Sequence, residues 1–503
     1  MTAQTGKDAV NRFGWLVLLA CAAPAHADTA LLSGSFVHFG YSSTDEQLPA
    51  AQLPLFLDEL RDLGNDTLII GQTRATRAGV GCASSAQDFE WIAGFPAKLG
   101  TVLDAAAARG MKVVVGTTYS SGQCAAFWQG SNAAAVAQDA AQSMAQLAQQ
   151  YAMHPAFAGW YITDEPAQVP AERASFYRSI VSTLKAATPS RPVMVAPYLA
   201  SSSVDPASVA SAALRFRSAT GVDVQIWQDG IGAASHAKLF QWDRPGYSTE
   251  QYYQALSAQL GASAVWADIE LFNHGSPLFL DTGNGLSGAY RSASVQRINQ
   301  QLWSARSAGK RVAWLNQYHL SEVVGPGQGY GEAPRMMNTY RGLYGLGASY
   351  LVDPVQTTYH YSVAPATSYP DGSGHELFDR RVGDPRNPMD AGWVGVHGNV
   401  SITIDLGQRR RVDWIGLHTM TRPAWGIVTP TSVEVMCAEP GTAAVTIGTL
   451  SAPFTQSGVM GSTEEEYVLG NAAPLAAQCR TLELRVANGS WTFLSEIEMA
   501  AEQ

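Results

Sequence analysis

The 503-residue sequence predicts an α/β fold, a (β/α)8 TIM barrel, followed by an all-β sandwich. Two observations lead to this fold class. Eight apolar strand-like runs alternate with amphipathic helical stretches up to about residue 350, which is the pattern of a parallel sheet with crossover helices. From Tyr359 onward the helical period disappears, and short alternating runs separated by turn residues take over, as in a β-sandwich.

The N-terminus has the features of a leader. Two cationic residues precede the apolar run 15–23, and Ala25 and Ala27 supply the small residues of a cleavage site. We therefore predict a signal peptide over residues 1–27 and an exported protein, periplasmic or extracellular. The run 18–21 also resembles a bacterial lipoprotein signal, in which Cys21 would carry the lipid anchor. The apolar run is too short for a transmembrane segment, and none is predicted elsewhere.

The barrel is predicted over residues 28–355 as the catalytic domain. Helical spacing of apolar residues places helices at 53–63, 97–109 and 132–151, with Gly64 and Gly110 at the C-terminal caps of the first two. The eight strands are predicted at 35–39, 66–71, 112–118, 157–163, 192–198, 222–228, 263–270 and 311–318.

The sandwich is predicted over residues 356–503. Its clearest strands are 401–406, 412–417, 432–437 and 481–486. Removal of the leader leaves Cys82, Cys124, Cys437 and Cys479, an even number in an oxidising compartment. The sequence alone permits three pairings. The domain assignment favours Cys82 with Cys124 and Cys437 with Cys479, with four free thiols as the alternative.

The acidic balance, a formal net charge of −10, leaves no basic stripe for a phosphate backbone, so nucleic acid is not an expected partner. The chain has no paired-cysteine zinc motif and no helical pair of histidines around a glutamate. We predict no catalytic metal and no cofactor for catalysis. Oligomeric state cannot be read from these features.

Chemistry in such a barrel is placed at the C-terminal ends of the strands. Glu165 and Glu270 end the predicted fourth and seventh strands, and a pair of carboxyl groups in one cleft is the minimum needed to break a glycosidic bond. Aromatic rings and amides dominate the other strand ends, which favours a carbohydrate ligand. The predicted substrate-binding residues are Asp164, Tyr119, Tyr198, Trp227, Gln228, Asp229, Trp314, Asn316 and Tyr318.

Each of these acidic residues could instead have a structural role. A carboxylate at a strand end can serve as a helix cap, and Asp229 lies in a run that also reads as a turn. Asp268 shares strand parity with Glu270, so it is either an orienting residue or a structural hydrogen-bonding residue. Adjacent strand residues point to opposite faces, so Asp164 could face the helices rather than the cleft.

The segment Asp164, Glu165, Pro166 resembles the Asn-Glu-Pro motif of clan A glycoside hydrolases, with Asp in place of Asn. The resemblance implies that Glu165 is the acid/base, that Glu270 is the nucleophile and that Trp314 stacks on a sugar. The barrel more closely resembles an uncharacterised bacterial family of glycoside-hydrolase-like barrels, through the runs 227–232 and 270–272. Retention of configuration is expected, because two inward glutamates could approach to the roughly 5 to 5.5 Å of retaining enzymes.

The C-terminal region resembles a discoidin-like (factor 5/8 type C) galactose-binding domain of jelly-roll form. The runs that carry this resemblance are 369–371, 376–379, 393–396, 404–407 and 491–497. It implies carbohydrate binding through loop aromatics, with Trp425 as the candidate stacking residue and a packed loop anchor as its alternative role. Many such domains hold a structural calcium, so the resemblance also implies calcium here.

Together these features predict an exported retaining glycosidase that acts on a polysaccharide or oligosaccharide. The alternative is a noncatalytic carbohydrate-binding or cell-envelope scaffold protein. The sequence does not reveal the sugar, the linkage or the choice between internal and terminal cleavage.

Overall fold

The structure is a computed structural model of the chain. It describes residues 32–37, 39, 52–92, 94–120, 130–167, 173–199, 203–231, 247–274, 290–292, 295–314, 357–379, 383, 387–439, 441–450, 454–456, 463–469 and 475–501. The predicted signal peptide, Cys21 and the predicted domain boundary at 355–356 lie outside the described residues. Within these ranges no helix has the length and apolarity needed to cross a bilayer.

The first part of the chain alternates strands and helices. In chain order they are β1 (Gly34–Val37), α1 (Leu53–Asp62), β2 (Thr67–Ile70), β3 (Arg74–Thr76), β4 (Phe89–Trp91), α2 (Ala97–Ala107), β5 (Lys112–Gly116), β6 (Thr118–Tyr119), α3 (Gly130–Tyr151), β7 (Phe157–Ile162), α4 (Ala174–Ala187), β8 (Val193–Val195), α5 (Pro206–Thr220), β9 (Val224–Gln228), α6 (Thr249–Leu260), β10 (Val265–Glu270), β11 (Phe272–His274), β12 (Tyr290–Ser292), α7 (Val295–Ser304) and β13 (Lys310–Trp314).

Eight of these strands form a closed parallel barrel in the order β1, β13, β10, β9, β8, β7, β5, β2. They coincide with the eight predicted strands, so the predicted barrel is confirmed. Successive side chains of a strand point to opposite faces. Alternate residues of the barrel strands therefore pack in two different apolar layers. The lumen layer contains Phe36, Ile69, Val114, Tyr161, Met194, Ile226, Trp266 and Val312. The other layer packs between the strands and the surrounding helices.

The helices follow the predicted apolar spacing. In α1 the buried residues include Phe56, Leu57 and Leu60, which share one face of the helix. Gly64 and Gly110 have φ angles of +86° and +70°, a region that glycine occupies without steric cost. Both therefore end their helices as predicted.

A small sheet of β4, β3 and β6 extends from the C-terminal ends of β2 and β5. It is tied to α3 by Asp139, which is buried. The Asp139 carboxylate accepts hydrogen bonds from Arg74 at 2.7 to 3.1 Å and from the Thr118 hydroxyl at 2.6 Å. The Arg74 side chain is only 12% exposed and lies over the Trp91 ring.

Replacement of Asp139 with Ala is expected to destabilise the protein by about 3 kcal/mol, because it leaves the Arg74 guanidinium largely buried without its carboxylate. The matched control is Glu250→Ala, which removes the Arg306 ion pair, whose side chains are about one-third exposed. That change is expected to cost at most about 1 kcal/mol. Urea unfolding followed by tryptophan fluorescence measures both, and equal losses would contradict the proposed role of the buried pair.

The C-terminal part of the chain is antiparallel β structure. Its strands are β14 (Thr358–Tyr361), β15 (Val394–His397), β16 (Val400–Thr421), β17 (Ser432–Ala438), β18 (Val445–Thr449), β19 (Phe454–Gln456), β20 (Thr463–Leu469), β21 (Ala477–Ala487) and β22 (Trp491–Ala501). The order is β15, β22, β16, β21, β17, β18, with β14 and β20 also paired to β16. The described region has its own apolar core, so the predicted all-β second part is confirmed.

The predicted strands 401–406 and 412–417 are one strand, β16, with a register irregularity between Asp405 and Arg410. Gly407 lies at this irregularity with a φ of +75°, and its N–H donates to the Asp405 carboxylate at 2.9 Å. The turn residues read from the sequence therefore form a bulge rather than a loop.

Cys437 and Cys479 form a disulfide between β17 and β21, with their Cα atoms 5.4 Å apart. This confirms one of the two favoured pairings. Cys82 is also disulfide-bonded, but Cys124 lies outside the described residues, so the pairing of those two stays a prediction.

Candidate active site

The proposed nucleophile, Glu270, is the last residue of β10 and is buried. Trp266 of the same strand belongs to the lumen layer, whereas Ala267 and Ile269 pack in the layer on the helix side. Alternation therefore directs Asp268 and Glu270 toward the lumen with Trp266. The strand β10 thus presents two carboxyl groups on one face near the C-terminal end of the barrel.

Glu165 follows the end of β7 by three residues. Its side chain lies beside that of Gln228, at the end of β9, and its charge acts on Asp268. Because Gln228 and Asp268 are paired residues of neighbouring strands, these contacts place the Glu165 carboxyl at the same end of the lumen as Glu270.

Water can reach the exposed Glu165 side chain. Protein nevertheless surrounds its carboxyl group closely enough that desolvation raises the pKa to about 7, from an ordinary 4.5. The neighbouring Gln228 amide opposes this rise in pKa, and the negative charge of Asp164 adds to it. A carboxyl group with such a pKa is substantially protonated at neutral pH.

The Asp164 carboxylate lies against α4. It accepts a hydrogen bond from the Tyr177 hydroxyl on α4 and one from Arg173 at 3.4 Å. Burial raises the pKa of Asp164, while its bonds to Tyr177 and Arg173 lower it. The structure thus places Asp164, predicted to bind substrate, against the helix layer, where it fixes the segment that carries Glu165.

Asp229 holds the end of β10 from the helix side. Its buried carboxylate accepts from the Ile231 N–H at 3.1 Å and from the Gln301 amide on α7 at 2.6 Å. The same Gln301 nitrogen donates to the Glu270 carbonyl oxygen at 3.2 Å. Asp229 therefore positions the backbone of Glu270 through Gln301, and the structure does not bring its carboxylate into the lumen.

Trp227 is fully buried and belongs to the layer between barrel and helices. Its indole N–H donates to Gln225 at 3.2 Å, and its carbonyl accepts from the Tyr253 hydroxyl at 2.9 Å. Trp227 precedes Gln228 on β9, so its side chain points to the helix side while that of Gln228 points to the lumen. The structure therefore places Trp227 in the core and away from the other predicted ligand contacts.

Tyr198 lies between the segment that carries Glu165 and the end of β9. Its backbone bridges Ala167, just after Glu165, and Gln228, and its side chain is partly exposed. Tyr119 is partly exposed on β6, beside the barrel mouth. Trp314 ends β13 opposite Glu270 in register, but its side chain is not described, and Asn316 and Tyr318 lie outside the described residues.

Gln301, Arg173 and Tyr177 were not singled out from the sequence. Gln301 lies three residues after Ile298 and beside Leu302, all of them buried on α7. A polar residue within such an apolar stripe is a signal that sequence reading could have used. Tyr177 carries no comparable signal, because a tyrosine on a buried helix face is common.

In the second part of the chain, Trp425 is 52% exposed in the turn after β16. The Arg422 guanidinium lies 3.5 Å from the centre of its ring, so one ring face is covered. In the described part of the chain, no group of three or more His, Cys, Asp or Glu side chains could hold a metal ion. The calcium implied by the resemblance stays a prediction.

The family model described as Domain of unknown function (DUF4434) matches residues 32–326. A comparison with curated proteins found no match. Among solved structures, a Bacteroides thetaiotaomicron protein assigned as an alpha-L-fucosidase is similar at 16% identity and a TM-score of 0.48, covering 64% of this chain and 95% of that one.

Two further solved structures are similar. A Ruminococcus gnavus GH29 fucosidase in complex with fucose has 10% identity and a TM-score of 0.32, covering 94% of this chain and 93% of that one. The family 32 CBM from C. perfringens NanJ in complex with galactose has 12% identity and a TM-score of 0.22, covering 30% of this chain and 98% of that one. The activities and ligands in these names belong to those proteins.

Proposed function

The chain belongs to the DUF4434 family, and we propose that it is an exported glycoside hydrolase that cleaves O-glycosidic bonds of a polysaccharide or oligosaccharide with retention of configuration. In this proposal Glu165 is the acid/base and Glu270 is the nucleophile. The barrel provides the catalytic site, and the β domain holds the enzyme on its carbohydrate.

One observation carries the proposal. The carboxyl groups of Glu165 and Glu270 come from different barrel strands, yet both act electrostatically on Asp268, which lies in the lumen between β9 and β13. Two carboxyl groups converging at the C-terminal end of one barrel are the equipment for acid catalysis and nucleophilic attack on an acetal.

The surroundings of the two carboxyl groups support these roles. Glu165, with a pKa near 7, can hold a proton at neutral pH and give it to the departing glycosidic oxygen. Glu270 is held at the end of β10, where Asp229 and Gln301 fix its backbone, and attacks the anomeric carbon. Ionised Glu165 then removes a proton from water, which displaces Glu270 and restores the starting state.

A panel of bacterial and plant polysaccharides, read by release of reducing ends, tests the proposal. A substrate should be found whose product is first released with the anomeric configuration of the bond that was cut, as followed by proton NMR. Release of the opposite anomer would contradict the double-displacement mechanism. Binding without cleavage across the panel would favour the noncatalytic carbohydrate-binding or scaffold alternative.

The pH dependence of kcat/KM follows from the state of Glu165. The acid must carry a proton, and its pKa is raised to about 7, so activity is expected to fall as pH rises through about 7 and by about tenfold per unit above it. A pH titration of kcat/KM on a substrate with a sugar leaving group measures this fall in activity, the basic limb of the pH profile. A plateau that extends beyond about pH 9 would contradict the role of Glu165 as the acid.

We propose further that Trp425 stacks on a sugar through the ring face that Arg422 leaves free. Trp425→Ala is expected to weaken binding of galactose, the first probe, by roughly two- to tenfold in Kd, because an aromatic stacking contact contributes about 0.5 to 1.5 kcal/mol. Titration calorimetry measures the affinity.

The matched control is Trp303→Ala, which removes another exposed tryptophan with an arginine over its ring, on α7. Equal weakening by both changes, or no weakening by either, would contradict a specific role for Trp425.

A further inference from the structure

A third carboxyl group lies in the lumen beside the proposed catalytic pair. Asp268 is fully buried and lies two residues before Glu270 on the same face of β10. Neither of its carboxyl oxygens has a hydrogen-bond partner among the described residues. The Nε2 atom of Gln228, its paired residue on β9, is also buried and has no hydrogen-bond partner in the described part of the chain.

Groups in the lumen and on the helix side lie near Asp268. Glu270 lies on its own strand, Gln228 is its paired residue on β9, and Glu165 follows β7. Asp229, just after β9, and Tyr253 of α6 lie on the helix side and interact with Asp268 electrostatically. The residue paired with it on β13 is Val312, which is apolar. Among the described groups, those whose charge acts on Asp268 are all carboxyl groups.

Among the described residues, no donor is hydrogen-bonded to Asp268 and no cation acts on it, so nothing there compensates the burial of an ionised carboxylate. Such a group takes up a proton instead, because the desolvation of a lone buried charge costs far more than protonation. Burial above all, and then the charge of Glu270, raise the pKa of Asp268 well above its ordinary value. The unpaired oxygens and the raised pKa therefore both favour a neutral Asp268.

We propose that Asp268 is a positioning residue, a neutral carboxylic acid beneath Glu270 whose O–H donates to the Glu270 carboxylate and holds it in its attacking orientation. Residues two apart on one strand face are about 6.6 Å apart along the strand, a gap that the two side chains can close directly or through one water. A hydrogen bond to an ionised group is about twice as strong as one between neutral groups.

The neutral state also limits repulsion. Three ionised carboxylates in one lumen would raise one another's pKa and would favour protonation of the nucleophile. A protonated Asp268 leaves Glu270 as the charged member on β10. The positioning role rests on the proposed function, whereas the protonation state can be measured without any substrate.

The first experiment is infrared difference spectroscopy of the full chain at pH 8, where Glu165 is mostly ionised. The wild-type spectrum minus that of Asp268→Asn should contain the carbonyl band of a protonated carboxylic acid, shifted in D2O. The same band should persist in Glu165→Gln, which is the matched control. Absence of the band overturns the proposal even if hydrolysis has been demonstrated, and its presence supports a neutral Asp268 even if no substrate has been found.

The second experiment uses kcat/KM on a substrate found by the polysaccharide panel. Asp268→Asn keeps a neutral donor of similar size, so it should lose only about threefold, whereas Asp268→Ala should lose about 10- to 100-fold. The basic limb near pH 7 should stay in place in Asp268→Asn, because no charge has been removed. A shift of that limb to lower pH would show that Asp268 is ionised and would overturn the proposal.

Discussion

Replacement of Glu270 with Ala is expected to reduce kcat by on the order of 10⁴-fold or more, the size of effect produced by removing a nucleophile from a hydrolase. In the proposed mechanism Glu270 forms the bond to the anomeric carbon, and Asp268 is the other carboxyl group on the same face at the buried end of β10. A neutral Asp268 cannot take over the attack. Steady-state assays on the substrate found by the panel measure the reduction in kcat.

Azide distinguishes a lost nucleophile from a damaged fold. A small anion can occupy the space left by the Glu270 carboxylate and attack the anomeric carbon itself, so Glu270→Ala should regain activity and yield a glycosyl azide of inverted configuration. Glu250→Gln, a change at a partly exposed residue of α6, is the control and should keep its activity. A Glu270→Ala enzyme that retained more than about one-hundredth of wild-type kcat would contradict a covalent role for Glu270.

Replacement of Glu165 with Ala is expected to reduce kcat/KM by about 10²- to 10⁴-fold on substrates whose leaving group is a sugar. The loss should be much smaller for an aryl glycoside of an acidic phenol, because that leaving group departs without a proton. The basic limb near pH 7 should also vanish, since the group that titrates there has been removed.

The comparison of leaving groups identifies the acid. Equal losses on both kinds of substrate would contradict the role of Glu165 in protonating the leaving oxygen. Asp164→Asn is the informative companion variant, because it removes a negative charge that raises the pKa of Glu165 without touching the lumen. Its basic limb should move to lower pH.

The barrel could be predicted because its signal is local. Each strand is a short apolar run followed by a helix with apolar residues at helical spacing, and these patterns depend only on which faces are buried. The eight strands therefore appear in the structure where the sequence places them. The single strand β16 was predicted as two, because a glycine at a bulge and a glycine in a turn have the same local sequence.

The candidate site was predicted less completely. The run 227–229 contributes one residue to the lumen, Gln228, while Trp227 and Asp229 pack on the helix side. Strand alternation alone could have separated them. The partners of Asp164 and Asp229 could not have been found this way, because Tyr177 and Gln301 approach from helices distant in the chain.

The sequence by itself determined the eight-stranded barrel, the β region after it and the two glutamates at the ends of the fourth and seventh strands, because residue type and spacing encode burial and strand order. Only the tertiary structure decided the state of the carboxyl groups. The raised pKa values of Glu165 and Asp268 depend on how much water the assembled barrel excludes and which charges it brings together, and both arise from contacts between segments far apart in the chain.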